Sequence, residues 1–204
     1  TYTRNELLEK NVSKNPFEMF HSWFGEAIKS GILEPNAMVL STIEQEIPSS
    51  RVVLLKALDE TGFVFYTNYD SHKGQQLIQN PFASLTFFWD RLERQVRVQG
   101  AIEFVSSEES DAYFQSRPRG SQLGAWVSAQ STEISDRRVL EERLEALEKQ
   151  YTDESIPIPR PQHWGGIRVI PSKIEFWQGR PNRLHDRLLY QKTENNWQLS
   201  RLSP

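Results

Sequence analysis

Ser84-Leu-Thr-Phe-Phe-Trp-Asp-Arg-Leu-Glu-Arg-Gln-Val-Arg-Val-Gln-Gly-Ala-Ile-Glu-Phe-Val105 decides the fold. Residues 84–89 and 94–105 are β-prone runs separated by a short polar turn, the pattern of an antiparallel hairpin. In the second run Val96, Val98, Ile102 and Phe104 fall on one face, and Gln95, Arg97, Gln99 and Glu103 on the other. Similar runs occupy residues 37–43 and 50–58. The latter leads through Asp59-Glu-Thr-Gly62 into residues 63–67, which predicts a second hairpin. Strands resume at residues 166–170, 173–178, 187–192 and 197–202, with Glu194-Asn-Asn196 as a turn. Antiparallel hairpins closing around one core, with helices outside, predict a mainly β, α+β domain built as a small barrel.

The helices announce themselves by their ends. Asn15-Pro16-Phe17-Glu18 combines an N-cap, a first-turn proline and a glutamate placed for a capping box. Phe17, Phe20, Phe24 and Ile28 follow at helical spacing until Gly31. Further helices are predicted over residues 71–79, 107–115, 121–129 and 136–151, and Pro157, Pro159 and Pro161 stiffen a connector over 152–162. No internal repeat or second domain is visible, so residues 1–204 read as one domain.

Composition narrows the chemistry. The 204 residues contain no cysteine, which excludes disulfides, thiolate metal sites and a cysteine nucleophile. His21, His72, His163 and His185 lack metal-ligand spacing, so no metal is expected. The net charge of −3 argues against nucleic acid, and no apolar run approaches a membrane span. The polar N-terminus carries no targeting signal, leaving the cytoplasm as the default compartment. It lacks an initiator methionine, which suggests a start inside a longer chain. Arginine outnumbers lysine 16 to 8 and clusters at residues 91–97, 117–119 and 180–187. Guanidinium groups grip phosphate or carboxylate with paired hydrogen bonds, so local arginine clusters in a mildly acidic chain point to small anions. Six tryptophans leave room for flat rings.

There is no Walker loop, no G-x-G-x-x-G and no nucleophile elbow. Four segments stand out instead. Arg51-Val-Val-Leu-Leu-Lys56 is an apolar strand with a cation at each end, which solvent alone could also explain. Tyr66-Thr67-Asn68 leads to Ser71-His72-Lys73 at a helix start, either a phosphate site or a plain N-cap. Tyr113-Phe-Gln-Ser-Arg117-Pro-Arg-Gly-Ser121, running on to Gln130-Ser131, offers a second anion site or a solvated loop. In Asn182-Arg183-Leu184-His185-Asp186-Arg187 an extended backbone would put Arg183, His185 and Arg187 on one face, a repulsive arrangement unless an anion sits there.

These residues resemble the pyridoxamine/pyridoxine 5′-phosphate oxidase family of flavoproteins. The match runs through R-x-V-L-L-K at 51–56, F-Y-T-N at 65–68, N-P-F-A-S-L at 80–85, E-R-Q-V-R-V at 93–98 and Y-F-x-S-R-P-R at 113–119. It continues through Q-L-G-A-W at 122–126, E-F-W-Q-G at 175–179, N-R-L-H-D-R at 182–187 and the terminal R-L-S-P. The resemblance implies an FMN-binding split β-barrel, a homodimer with FMN where the subunits meet. It implies oxidation of pyridoxine or pyridoxamine 5′-phosphate to pyridoxal 5′-phosphate, with O2 reduced to H2O2.

Carried over by position, Arg51, His72, Lys73, Gln130 and Ser131 would hold the FMN phosphate and ribityl chain, with Tyr66 and Thr67 beside them. Val52, Val53, Leu54 and Lys56 would lie along the flavin, with Gln95, Trp177 and Arg187 around its ring. Lys56, Tyr113, Arg117 and Ser121 would take the substrate phosphate. Arg183 and His185, the catalytic pair, would lie with Leu184 over the substrate ring. Tyr2 would contribute from residues 1–14, a segment expected to close over the substrate. The family usually has arginine in place of His72, which implies a weaker or replaced phosphate contact. It also has an arginine three residues before the position of Tyr2, ahead of Thr1 here. Two other readings stand beside this one. A split-barrel flavin oxidoreductase acting on another ring, such as a phenazine-pathway oxidase, should lack some of Lys56, Tyr113, Arg117 and Ser121. A non-catalytic pyridoxal-phosphate binder should take up no oxygen.

Overall fold

The structure, a computed structural model, describes residues 6–204. Tyr2 lies outside the described residues. Among the described residues, nine antiparallel strands and five α-helices surround one main core. Helix α1 (Pro16–Lys29) starts where Asn15 accepts a hydrogen bond from the Phe17 amide at 2.9 Å. The expected capping box does not form, because the Glu18 carboxylate accepts from Ser13 Oγ at 2.5 Å instead.

Strands β1 (Ala37–Glu44) and β2 (Ile47–Leu54) form a hairpin in which Glu44 faces Ile47. This corrects the pairing read from sequence. Only the short β3 (Ala57–Leu58) joins β4 (Phe63–Asn68), while the rest of the 50–58 run pairs with β1. The β1–β2 turn was hidden because Gln45 and Glu46 both take positive φ, 46° and 69°, without glycine or asparagine to signal it. Strands β5 (Phe82–Trp89) and β6 (Arg94–Phe104) form the expected hairpin.

Strand β7 (Trp164–Gln178) is continuous, where the sequence suggested two strands. Pro171 lies at a register shift between Gln99 and Gly100 of β6, so its missing N–H interrupts no regular ladder. One edge of β7 pairs with β6. The other edge pairs first with β4, from Trp164 to Val169, and then with β8 (Asp186–Lys192), from Lys173 to Gln178. Strand β9 (Trp197–Leu202) completes the sheet on β8. The ladder runs β2-β1-β5-β6-β7-β4-β3 and does not close into a ring, so the barrel is split.

The core lies between α1 and the concave face of the sheet. Phe20 is fully buried and meets Phe63 and Phe87, each with ring centroids 5.0 Å apart. Trp23 packs edge-on against Phe176 at 5.2 Å. Helices α2 (His72–Gln79), α3 (Ser107–Ser116), α4 (Arg119–Val127) and α5 (Arg138–Gln150) lie outside. A smaller cluster of Phe114, Leu123, Ile158 and Trp164 anchors α3 and α4 beside the start of β7, with Leu144 and Leu147 of α5 packed against it. Gly100 permits the register shift because a Cβ there would stand 1.9 Å from the Ile170 carbonyl oxygen. Gly100→Ala should therefore cost about 1–3 kcal/mol, as overpacking does. Thermal unfolding checks this, and an unchanged midpoint would contradict it.

Candidate functional site

A cleft of about 440 Å³ opens where β2 and β4 face α4 and the loop after it. Val52, Val53, Leu54, Lys56, Tyr66, Thr67, Lys73, Arg117, Ser121 and Gln130 all line it, so residues spread over much of the sequence converge. Asn68, Gly124, Ala125, Ser128 and Trp164 line it as well, and the sequence reading gave none of them a site role. His72 and Ser131 stand at its rim and Tyr113 behind Tyr66, as their contacts below place them.

Lys73 in the lining and Arg51, which stands next to it outside the lining, are held by neutral groups. Arg51 Nη1 donates to Thr42 Oγ1 at 2.6 Å, and Nη2 donates to Ser49 Oγ at 2.7 Å and Gln76 Oε1 at 3.2 Å. Gln76 is itself buried and donates through Nε2 to Glu44 at 3.0 Å. Ser71 caps α2, its hydroxyl accepting from the Gly74 amide. Lys73 Nζ reaches Ser71 Oγ and Gln130 Oε1, each at 3.2 Å. Burial, and then the charge of Arg51, push the Lys73 ammonium down to about 8. The His72 backbone amide donates to Ser131 Oγ at 3.3 Å, and Ser131 holds φ at 74°. Two bonds thus tie the start of α2 to the Gln130-Ser131 loop.

Arg117 closes the other end. It follows α3 directly, and its guanidinium carbon lies 4.6 Å from the centre of the Trp164 ring. Its Nη1 is buried and, among the described residues, has no hydrogen-bond partner. Burial lowers its proton affinity below the ordinary arginine value. Tyr113 stacks on Tyr66 at 3.9 Å, and Tyr66 lies nearly parallel to Trp164. An anion entering this end finds a desolvated charge with a vacant donor.

The remaining predicted residues assemble elsewhere. Gln95, Trp177 and Arg187 face one another in a single row across β6, β7 and β8. The segment just before Arg187 is not the extended strand read from sequence. Pro181–Arg183 forms a 3-10 turn with Asn182 and Arg183 at φ 59° and 62°, so Arg183, His185 and Arg187 do not alternate on one face. The repulsion argument fails with it. Arg187 is neutralised by Glu175, with Nε to Oε1 at 2.8 Å and Nη2 to Oε2 at 3.2 Å, and this bond raises its proton affinity. His185 packs on Trp177 at 4.7 Å, and its Nδ1 accepts from the Arg180 amide at 3.0 Å. That bond puts the proton of the neutral imidazole on Nε2. Leu184 is exposed.

None of the row's residues lines the cleft of its own chain. The row lies on the outer sheet face, which also carries exposed Val39, Val52, Phe82 and Phe88. Among the described residues no helix is long and apolar enough to cross a membrane, and no cluster of potential metal ligands occurs.

Comparison with known proteins agrees with this geometry. A family model described as pyridoxamine 5′-phosphate oxidase matches residues 24–151. A second, described as the pyridoxine 5′-phosphate oxidase C-terminal dimerisation region, matches residues 164–204. A pyridoxine/pyridoxamine 5′-phosphate oxidase of Synechocystis is 59% identical over all of this chain and 94% of its own length. One from Paraburkholderia phytofirmans is 53% identical over 100% and 95%. Among solved structures, PhzG from Burkholderia lata in complex with tetrahydrophenazine-1-carboxylic acid superposes with a TM-score of 0.90 at 28% identity, covering 98% of both chains. An FMN-binding protein of Nostoc punctiforme related to pyridoxamine 5′-phosphate oxidase shares the fold, with a TM-score of 0.74 at 18% identity over 95% of this chain and all of its own.

The Lys73 environment makes anion binding pH-dependent. The ammonium is charged below about 8 and would be stabilised by a bound phosphate, so affinity should fall as pH rises through 8, by up to about tenfold per unit. Titrating ligand-free protein with FMN from pH 6.5 to 10 tests this. A flat profile would remove Lys73 from the anion contacts.

Proposed function

The chain belongs to the pyridoxamine 5′-phosphate oxidase family, and from that premise we propose that it uses FMN to oxidise pyridoxine or pyridoxamine 5′-phosphate to pyridoxal 5′-phosphate. The observation that carries the reading is the pair of cation sets in one cleft. Two phosphates, one on the cofactor and one on the substrate, require two sets: Lys73 in the lining with Arg51 next to it, and Arg117 with Lys56. The fit to FMN is good on the chain's own chemistry. A desolvated lysine, a docked arginine and the Gln130-Ser131 loop form a cradle for a phosphate, and exposed Val52 offers apolar strand surface for a flat ring.

When bound, FMN accepts hydride from the substrate carbon and passes the electrons to O2, giving H2O2. The protein's part is binding, orientation and electrostatics. Arg51, Lys73, Gln130 and Ser131 hold the phosphate and ribityl chain, with Thr67 and Tyr66 beside them. His72 stands where the family has arginine, and its backbone amide is already engaged with Ser131. Val52, Val53 and Leu54 support the flavin. Lys56, Tyr113, Arg117 and Ser121 take the substrate phosphate, and Arg117 alone of the four can hold two phosphate oxygens with parallel bonds. Arg183, Leu184 and His185 orient the substrate ring, with His185 Nε2–H as a donor.

The chain forms a homodimer through its C-terminal dimerisation region. Gln95, Trp177, Arg187, Arg183 and His185 would serve the cleft of the second copy, since none of them lines the cleft that holds Lys73 and Arg117 of their own chain. The exposed apolar face bearing that row is the surface a second copy would cover.

The test is oxygen uptake and pyridoxal 5′-phosphate formation by the FMN-loaded protein, in wild type and Arg117→Ala. Turnover of phosphorylated substrate is expected. Truncating one partner of a buried charge pair costs about 2–5 kcal/mol, so Arg117→Ala should raise KM roughly 30-fold or more. FMN should stay bound, and use of unphosphorylated pyridoxine should barely change. No oxygen uptake by wild type would favour a binder. A parallel fall for both substrates would remove Arg117 from the site.

A further inference from the structure

Arg117 differs from most partly buried arginines of this molecule in what holds it. Arg94 is paired with Glu26 at 2.8 Å, and Arg168 with Glu103 at 2.9 Å. Arg187 is paired with Glu175, and Arg201 with both Glu9 and Asp186. Among the described residues Arg117 has no carboxylate partner. Its guanidinium lies over the Trp164 ring, with Phe114 farther off at 5.8 Å.

A ring face suits a cation that must bind something else. A carboxylate would consume two N–H donors and neutralise the charge, so an incoming phosphate would have to displace it. A π-face fixes the guanidinium through the ring quadrupole and uses none of its donors. Nη1 is accordingly buried and, among the described residues, unpartnered.

The ring is itself immobilised. Trp164 is buried, its amide donates to the Pro161 carbonyl at 3.0 Å, and its carbonyl accepts from Arg160 Nη1 at 2.6 Å. Tyr66 and Tyr113 lie within 14° and 5° of its plane. Trp164 thus has its backbone tied at both the amide and the carbonyl, its indole parallel to two tyrosine rings, and a charge with a vacant donor over its face.

We propose that Trp164 is the positioning residue for Arg117, and that it sets the preference of the site for a phosphorylated over an unphosphorylated substrate. The proposal rests on the reading of Arg117 as the phosphate ligand. The indole acts on the substrate only through the guanidinium, by holding its plane and keeping its donors turned to the cleft.

The measurement is the ratio of kcat/KM for pyridoxine 5′-phosphate to that for pyridoxine, in FMN-loaded wild type, Trp164→Phe and Trp164→Leu. Competitive inhibition by inorganic phosphate and the thermal midpoint are followed in parallel. A cation–π contact is worth about 2- to 5-fold at an exposed site and about 30-fold when desolvated, and indole exceeds phenyl. The ratio should therefore fall about tenfold or more in Trp164→Leu and less in Trp164→Phe. The loss should be in KM for the phosphorylated substrate, with phosphate inhibition weakened to match. If Trp164→Leu does not fold, Trp164→Phe alone carries the test through its smaller loss. An unchanged ratio in every variant that folds, or an equal fall for both substrates, would overturn the proposal. Arg117→Ala separates the two failures. If it leaves the ratio unchanged, the reading of the phosphate site is wrong. If it collapses the ratio while the Trp164 variants do not, only the role of Trp164 is wrong.

Discussion

Strand β7 is the constraint on which the rest depends. It keeps one edge on β6 and divides the other between β4 and β8. A strand that changes partner partway along forces the sheet to branch, and the branch leaves the barrel split. The same geometry distributes the chemistry. The β4 end carries Tyr66 and Thr67 and abuts α2 and α4, whereas the β8 end carries Gln95, Trp177 and Arg187 and leads to Arg183 and His185. Neither end alone has all the groups that a flavin and a phosphorylated ring would require. In the function proposed above, a second copy docked on the outer face would supply the missing half.

The cations of the molecule fall into two kinds, and the distinction follows from what each must leave available. Arg94, Arg168 and Arg201 are tied to carboxylates and hold elements together. Arg51, Lys73 and Arg117 are held by hydroxyls, amides and an aromatic face, and so keep their charge for a ligand. Desolvating such groups costs free energy, visible in the lowered proton affinities of all three. An anion that enters the cleft offsets that cost, which couples ligand binding to stability. Arg187 belongs with the carboxylate-bound kind. Its expected place beside the flavin ring is therefore one of orientation through the Glu175 pair, not capture of a phosphate.

Much of this was legible in the sequence, and the parts that were not have physical reasons. The alternation in 94–105 and the phenylalanine spacing after Pro16 mark the core face through Val98 and the buried stripe of α1, although Phe104 and Ile28, read onto those faces, are exposed. The β1–β2 hairpin was missed because Gln45 and Glu46 adopt left-handed backbone without the usual residues. Pro171 split β7 on paper, yet in the ladder it occupies a register shift where no donor is needed. The motif matches brought Arg51, Lys73 and Gln130 to one site, but the bond between Lys73 and Gln130 spans 57 positions and no local pattern encodes it. The face expected for Arg183, His185 and Arg187 assumed extended backbone, and the positive φ of Asn182 and Arg183 breaks it. Trp164 was passed over because it stands two residues ahead of the strand read at 166–170, outside every segment that stood out. Its second role is visible only once Arg117 is seen above the ring.

The account's central claim is that each site is built from two copies, and hybrid dimers test it most directly. Arg117→Ala removes a group from the cleft, and Arg183→Ala removes one from the far end of β7. Co-expressing the two variants, each nearly inactive alone on phosphorylated substrate, produces mixed dimers in which one site carries both lesions and the other carries none. With random pairing, turnover should recover to roughly a quarter of the wild-type value, since about half the dimers are mixed and each has one intact site. Activity no higher than that of either parent, in dimers shown to be mixed, would contradict the claim and place the complete site within one chain.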